Sequence, residues 1–241
     1  MNQIYLDTAR LLTQVAPLVF EEEAFALKGG TADTKLLVRR DGIEVKVEVN
    51  FVIRGTVNPV RTASLSAKAR EILLADLEIP VVSVEDLYGG KLVAAMDRQH
   101  PRDLFDVMQL YANEGITPGI RRAFVVYLAS HNRPVHEVLF PDITQDYERT
   151  FRGMTAEPVE LGDLLAARER LVGDLQRHLD ANERNFLLSL VSNEPRWELL
   201  DIAHLAQLPA IRWKLRNLGQ LAQSSPKKFR EQSDALRRLL T

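Results

Sequence analysis

The chain has 241 residues, 46% of them hydrophobic and 27% charged, the make-up of a folded globular protein with one large core or two small ones. It contains no cysteine, which excludes disulfides, thiolate metal sites and cysteine nucleophiles and fits a reducing cytoplasm. The net charge of −2 hides an asymmetry, because Ile211–Thr241 carries eight lysines and arginines against two acids while the remainder is acidic.

The N-terminal stretch "MNQIYLDTARLLTQVAPLVF" places Asp7 and Arg10 among its apolar positions, so it predicts an amphipathic helix over about 4–18 rather than a signal peptide. No apolar run approaches the roughly 18 residues of a membrane span, so no membrane association is expected. Phe25–Lys28 predicts a short strand running into Gly29-Gly30. Asp41-Gly42 is a two-residue hairpin signal, and the arm after it alternates: Ile43, Val45, Val47, Val49 and Phe51 on one face, Glu44, Lys46, Glu48 and Asn50 on the other. That polar face is either solvated or the wall of a site.

After a loop containing Pro59, "SLSAKAREILLADL" predicts a helix capped by Ser64 or Ser66, and "IPVVS" a short buried strand. Ser83 then caps a helix over Val84 to about Arg98, and Pro101 opens another that ends at Gly115. Everything from Pro118 onward reads as helix or loop, with Pro134, Pro141 and Pro158 punctuating a looser connection over 132–158. The expected organisation is an α/β domain over 1–116 and a helical domain over 117–241.

Chemistry concentrates in the predicted helix pair. At 100° per residue, Val84, Leu87, Tyr88, Lys91 and Ala95 share a face, with Gly89-Gly90 allowing close approach of a neighbour elsewhere. A lysine in an apolar stripe must snorkel, pair with a carboxylate or meet a phosphate. On the next helix Leu104, Val107, Met108 and Tyr111 form the buried stripe, with Asp103 and Asp106 beside it and Arg98 and Arg102 at the same corner. The cluster is either a salt-bridge network pinning two helices or a phosphate-binding corner. His100, His131, His136, His178 and His204 have no metal-ligand spacing, and no GxSxG, Walker or GxGxxG motif occurs. The basic C-terminal segment suits a polyanion, an acidic partner or a plain solvated face, with Trp213 and Phe229 read as core side chains rather than stacking platforms.

The quoted stretches "FALKGGTA", "EVKVEVNF" and "GGKLVAAMDRQHPRDLFDVMQLY" together resemble the AbiEii/AbiGii toxin family, nucleotidyltransferase-fold proteins of bacterial toxin–antitoxin and abortive-infection systems. The resemblance covers nearly the whole chain. It implies an α+β fold, a nucleotidyltransferase-like mixed sheet with flanking helices followed by an all-helical C-terminal domain. It further implies nucleotide-binding roles for Gly29, Gly30, Thr31, Arg98 and Arg102, catalytic roles for Lys91, Asp103 and Asp106, and a metal-binding role for Glu48. The implied reaction moves a nucleoside monophosphate from an NTP to an RNA acceptor, the 3′ end of tRNA, with Mg²⁺, in the cytoplasm, under control of a cognate antitoxin protein.

One departure from the family pattern matters chemically. Where that fold places a short helix and an Asp-x-Asp strand after the Gly-Gly turn, Ala32 here runs directly into Asp33-Thr34-Lys35. Two-metal phosphoryl transfer needs carboxylates on both ions, and Glu48 alone makes only a partial site. Either the segment is deleted and the chain is an inactive homologue acting as a phosphate, RNA or antitoxin binding module, or the full polypeptide carries residues that the chain as written omits.

Overall fold

The structure, a computed structural model, describes residues 3–21, 34–49, 55–141 and 159–240. The chain divides into two compact units, one built from Met1–Phe51 with Asn58–Ser83, the other from Val52–Val57 with Val84–Thr241. The expected boundary at 116/117 therefore falls inside the second unit, between two of its helices.

The first unit is organised by the Asp41-Gly42 turn. Both residues take positive φ (53° and 79°), the conformation a two-residue hairpin turn requires. The turn joins β1 (Thr34–Arg40) to β2 (Ile43–Val49) in antiparallel register, Arg40 opposite Ile43 and Val38 opposite Val45. Alternation sends Val45 inward, 3% exposed, against Leu11 and Val15 of helix α1 (Gln3–Phe20), with Val38, Ile43 and Val47 around them. Arg40 donates to Gln14 at 2.9 Å and ties the hairpin to the same helix. The helix continues through Pro17, past its expected end, and closes with Glu21 N–H donating to the Pro17 carbonyl at 3.1 Å. A proline's φ is helical, but Pro17 has no N–H for the Thr13 carbonyl and its ring crowds that oxygen, so the last turn forms at a cost.

The rest of this unit is β3 (Arg61–Ser64), α2 (Ala67–Leu73) and β4 (Glu78–Val81). Ser66, not Ser64, caps α2, accepting from Ala69 N–H at 3.2 Å. The strand β3 replaces an expected loop. Its sequence, RTAS, has no apolar alternation, and only pairing with β4 (Arg61 opposite Val81, Ser64 opposite Glu78) defines it. In turn β4 is half-exposed rather than buried, and Pro80 fits because each strand of a two-stranded sheet has an open edge. Among the described residues the strands form two separate two-stranded antiparallel sheets rather than the mixed sheet expected. Phe25–Lys28 lies outside the described residues.

The second unit is helical: α3 (Val84–Arg98), α4 (Pro101–Ala112), α5 (Pro118–Ala129), α6 (Val135–Leu139), α7 (Leu161–His178), α8 (Ala181–Val191), α9 (Pro209–Ser224) and α10 (Pro226–Leu240). No strand follows Val82 among the described residues, as the sequence predicts. The α5 run "AFVVYLA" is buried on every side and forms the centre of the core. A Cβ placed on Gly89 would come within 2.8 Å of Ala123 Cβ and 2.9 Å of Phe124 N, so glycine is what lets α3 lie on the α5 backbone. The buried side of α3 is accordingly the glycine side, with Asp86, Gly89, Val93 and Met96. Of the expected stripe, Ala95 is buried, whereas Val84, Leu87, Tyr88 and Lys91 form a partly exposed flank. A periodicity count credits side-chain hydrophobicity, whereas the closest approach goes to the residue with no side chain. That packing also explains why α3 and α4 belong with the helices that follow them.

Candidate functional site

The α3–α4 connection is two residues long. Gln99 takes φ +50°, and His100 forms the N-cap of α4, its Nδ1 accepting from Arg102 N–H at 3.2 Å, with Pro101 in the first turn. A link this short returns α4 antiparallel along α3, so residues at similar distances from the turn face one another. Arg98 meets Asp103 in a fork, Nη2 to Oδ1 at 2.7 Å and Nε to Oδ2 at 3.1 Å. Two turns further along, the Lys91 ammonium donates to Asp106 Oδ2.

The same hairpin geometry brings Tyr88 to Glu114, just beyond the end of α4. Burial, the charges of Glu114 and Asp106, and a hydrogen bond to Glu114 push the Tyr88 hydroxyl above its ordinary range, so it stays a neutral donor. Sequence reasoning placed Tyr88 on the lysine face but missed Glu114 as its partner. The spacing from the turn was the available signal.

The corner is neither open nor sealed. Lys91 and Asp106 side chains are 30% and 37% exposed, enough to keep the pair hydrated and reachable from solvent. Arg102 lies on the exposed side of α4. The cluster can thus present an oriented ammonium and a planar guanidinium to an anion, the two chemistries that bind phosphate as a point charge and as a fork. Behind it, fully buried Asp86 accepts from Val57 N–H at 2.7 Å and from the Tyr127 hydroxyl, whose pKa burial and then the Asp86 charge drive far upward. Asp86 locks Val57 to the start of α3. Sequence periodicity marked it only as a helix-start acid.

Gly29, Gly30 and Thr31 lie outside the described residues. Glu48 sits on β2 directly across from Lys35, as Glu44 sits across from Arg39, where Nε and Oε2 are 2.6 Å apart in solvent. Among the described residues no group of three or more His, Asp or Glu side chains is arranged to hold a metal ion.

The basic tail is not one continuous face. Lys214 is buried, 6% exposed, and its ammonium donates to the backbone carbonyls of His131 (2.7 Å) and Arg133 (2.8 Å) in the turn after α5. Burial pushes it down to about 8, with the Glu137 charge opposing. Lys214 is thus removed from the polyanion-binding set. Phe229 packs on the core as expected, but Trp213 is 56% exposed.

A helix hairpin carrying paired lysine–aspartate and arginine–aspartate groups, in a chain that also carries a β-hairpin unit, defines an α+β protein. The family model described as nucleotidyl transferase AbiEii toxin, Type IV TA system, matches residues 33–217, and the chain belongs to this family. The match contains the whole corner and begins at Asp33, three residues after Gly30. No curated protein and no solved structure matches the chain. No helix among the described residues is long and apolar enough to cross a membrane.

Proposed function

We propose that this chain is the toxin of a toxin–antitoxin pair and transfers a nucleoside monophosphate from an NTP to an RNA acceptor, the 3′ end of tRNA, with a cognate antitoxin protein as its partner. The observation that supports this most is the Lys91–Asp106 pair stacked along the α3–α4 hairpin with Arg98–Asp103, inside the segment matched by the family. In this reading Asp106 holds the Lys91 ammonium aimed at the nucleotide phosphates. Asp103 fixes the plane of the Arg98 guanidinium, and Arg102 adds donors at the same corner. Gly29, Gly30 and Thr31 offer backbone N–H groups to the phosphates, and Glu48 offers one carboxylate.

A second reading is favoured by one specific observation. Thr31 is followed by no Asp-x-Asp, so of the carboxylates that two-metal transfer uses in this family pattern only Glu48 has a counterpart in the chain as written. As written it is then a binding module for phosphate, RNA or the antitoxin.

Intact mass and NTP-dependent labelling of tRNA in Mg²⁺ buffer separate the two. A polypeptide heavier than 27.3 kDa by several tens of residues that labels tRNA, and loses labelling in Lys91→Ala, supports the transferase. A 27.3 kDa polypeptide that binds RNA without labelling it supports the binding module. Robust labelling by that 27.3 kDa chain would overturn the requirement for the missing carboxylates.

A further inference from the structure

The helix α9 has an unusual outer face. Its buried side is Ala210, Ile211, Lys214 and Leu218, whereas Arg212, Trp213, Arg216, Asn217 and Gln220 are exposed at helical spacing along the other. There is no Asp or Glu anywhere in Pro209–Ser224, although the chain as a whole has more acids than bases. Among the described residues neither Arg212 nor Arg216 is in a salt bridge. The Arg216 guanidinium lies 5.8 Å from the centre of the Trp213 ring, which is 56% exposed. An indole carries about 150–250 Å² of surface that burial would remove from water, so leaving it out is costly unless something covers it.

We infer that this strip, Trp213 between Arg212 and Arg216, is a docking surface for single-stranded RNA, an unpaired base stacking on the indole while the flanking phosphates meet the two guanidiniums. The inference rests on the proposed RNA acceptor and adds the surface that holds it. Charge selects the occupant. The exposed face of α9 carries two arginines and no acid, which favours a polyanion around the tryptophan. Here its exposed neighbours on α9 are arginine, asparagine and glutamine, which contact phosphate, sugar and base edges. Aromatic stacking framed by cations is how single strands are held without sequence preference. The inward turn of Lys214 sharpens the strip, since of the two cations flanking Trp213 in sequence one is committed to two carbonyls and the contact falls to Arg212 and Arg216.

The test is binding without NTP, so that it does not depend on catalysis. The chain has two tryptophans, and in a Trp197→Phe background Trp213 is the only indole. A 12-nucleotide single-stranded uridine RNA is expected to quench its fluorescence. In fluorescence anisotropy of the end-labelled RNA, Trp213→Ala should weaken binding by roughly 5- to 100-fold, and Trp213→Phe should keep most of it. Arg212→Ala with Arg216→Ala should weaken binding and reduce the slope of log K against log salt by about 1.4, the value for two lost contacts to a single strand. Melting temperatures should stay unchanged, because all three side chains face solvent. Absence of quenching, or variants that bind with wild-type affinity and salt slope, would overturn the inference. Loss of antitoxin binding with RNA binding intact would overturn it too and assign the strip to the protein partner. RNA binding here by a chain that transfers no nucleotide sinks only the transferase reading. Nucleotide transfer by Trp213→Ala with an unchanged KM for RNA sinks only the docking strip.

Discussion

In the first unit three buried side chains, Leu11, Val15 and Val45, hold an amphipathic helix on a two-stranded hairpin. In the second, Phe124, Phe186 and Leu128 have no exposure at all, and α5 is surrounded by other helices. The two units treat charge differently as well. The hairpin keeps its ion pair in water, where such a pair contributes little: the Arg39 and Glu44 side chains are 72% and 44% exposed. The helical unit takes three charges inside with several partners each: Asp86 has two donors, Glu183 the Arg121 guanidinium and a capping box at the start of α8, and Lys214 two carbonyls. Lys91 and Asp106 fit neither pattern. They are paired but half-exposed, as a site must be if a ligand is to compete for the pair.

The contrast in packing gives the largest expected effect. Phe124→Ala should destabilise the protein by about 3–5 kcal/mol, because the α5 site is enclosed and cannot collapse. Val45→Ala in the hairpin should cost only about 2 kcal/mol, the loss of two buried methyl groups. Urea unfolding of the two variants measures both. Equal costs would erase the distinction between a deep core and a thin one.

Lys214 sharpens the contrast in charge. Its pKa is lowered in the fold to about 8 from an ordinary 10.5, so between those values the unfolded chain binds the proton and the folded chain does not. Stability is therefore reduced below about pH 8 and recovers as pH rises toward 10.5, by about 3 kcal/mol over the window. Relative to Lys214→Met, wild-type unfolding free energy should rise across pH 8–10.5. A flat difference between the two would mean that the lysine carries its charge at no cost.

Gly89→Ala comes next. The added methyl meets Ala123 Cβ and the α5 backbone, which cannot swing aside as a flexible side chain would, so a cost of about 1–3 kcal/mol is expected in thermal unfolding. Gly162→Ala is the control, since nothing lies within 4 Å of its added carbon. The smallest effect on stability belongs to Lys91→Ala, within about 1 kcal/mol for a half-exposed pair, together with complete loss of nucleotide transfer by the active polypeptide. Destabilisation by several kcal/mol would place Lys91 with the buried charges instead.

The sequence by itself determined what is local. Asp41-Gly42 dictated the hairpin, because only a two-residue turn with positive φ joins strands at that spacing. The alternation after it chose Val45 for the core. The stretch "DRQHPRD" determined a short helix–helix link, and with it the meetings of Arg98 with Asp103 and of Lys91 with Asp106. What remained illegible depends on partners distant in the chain. Nothing in RTAS announces a strand until Glu78–Val81 lies beside it. The inward face of α3 was decided by Ala123 and Phe124 accepting a residue without a side chain. Lys214 and Trp213 are neighbours with similar claims on the surface, yet one is buried and the other exposed. Tertiary structure decided that, because two unpaired carbonyls after α5 needed a long flexible donor, which lysine can supply and an indole cannot.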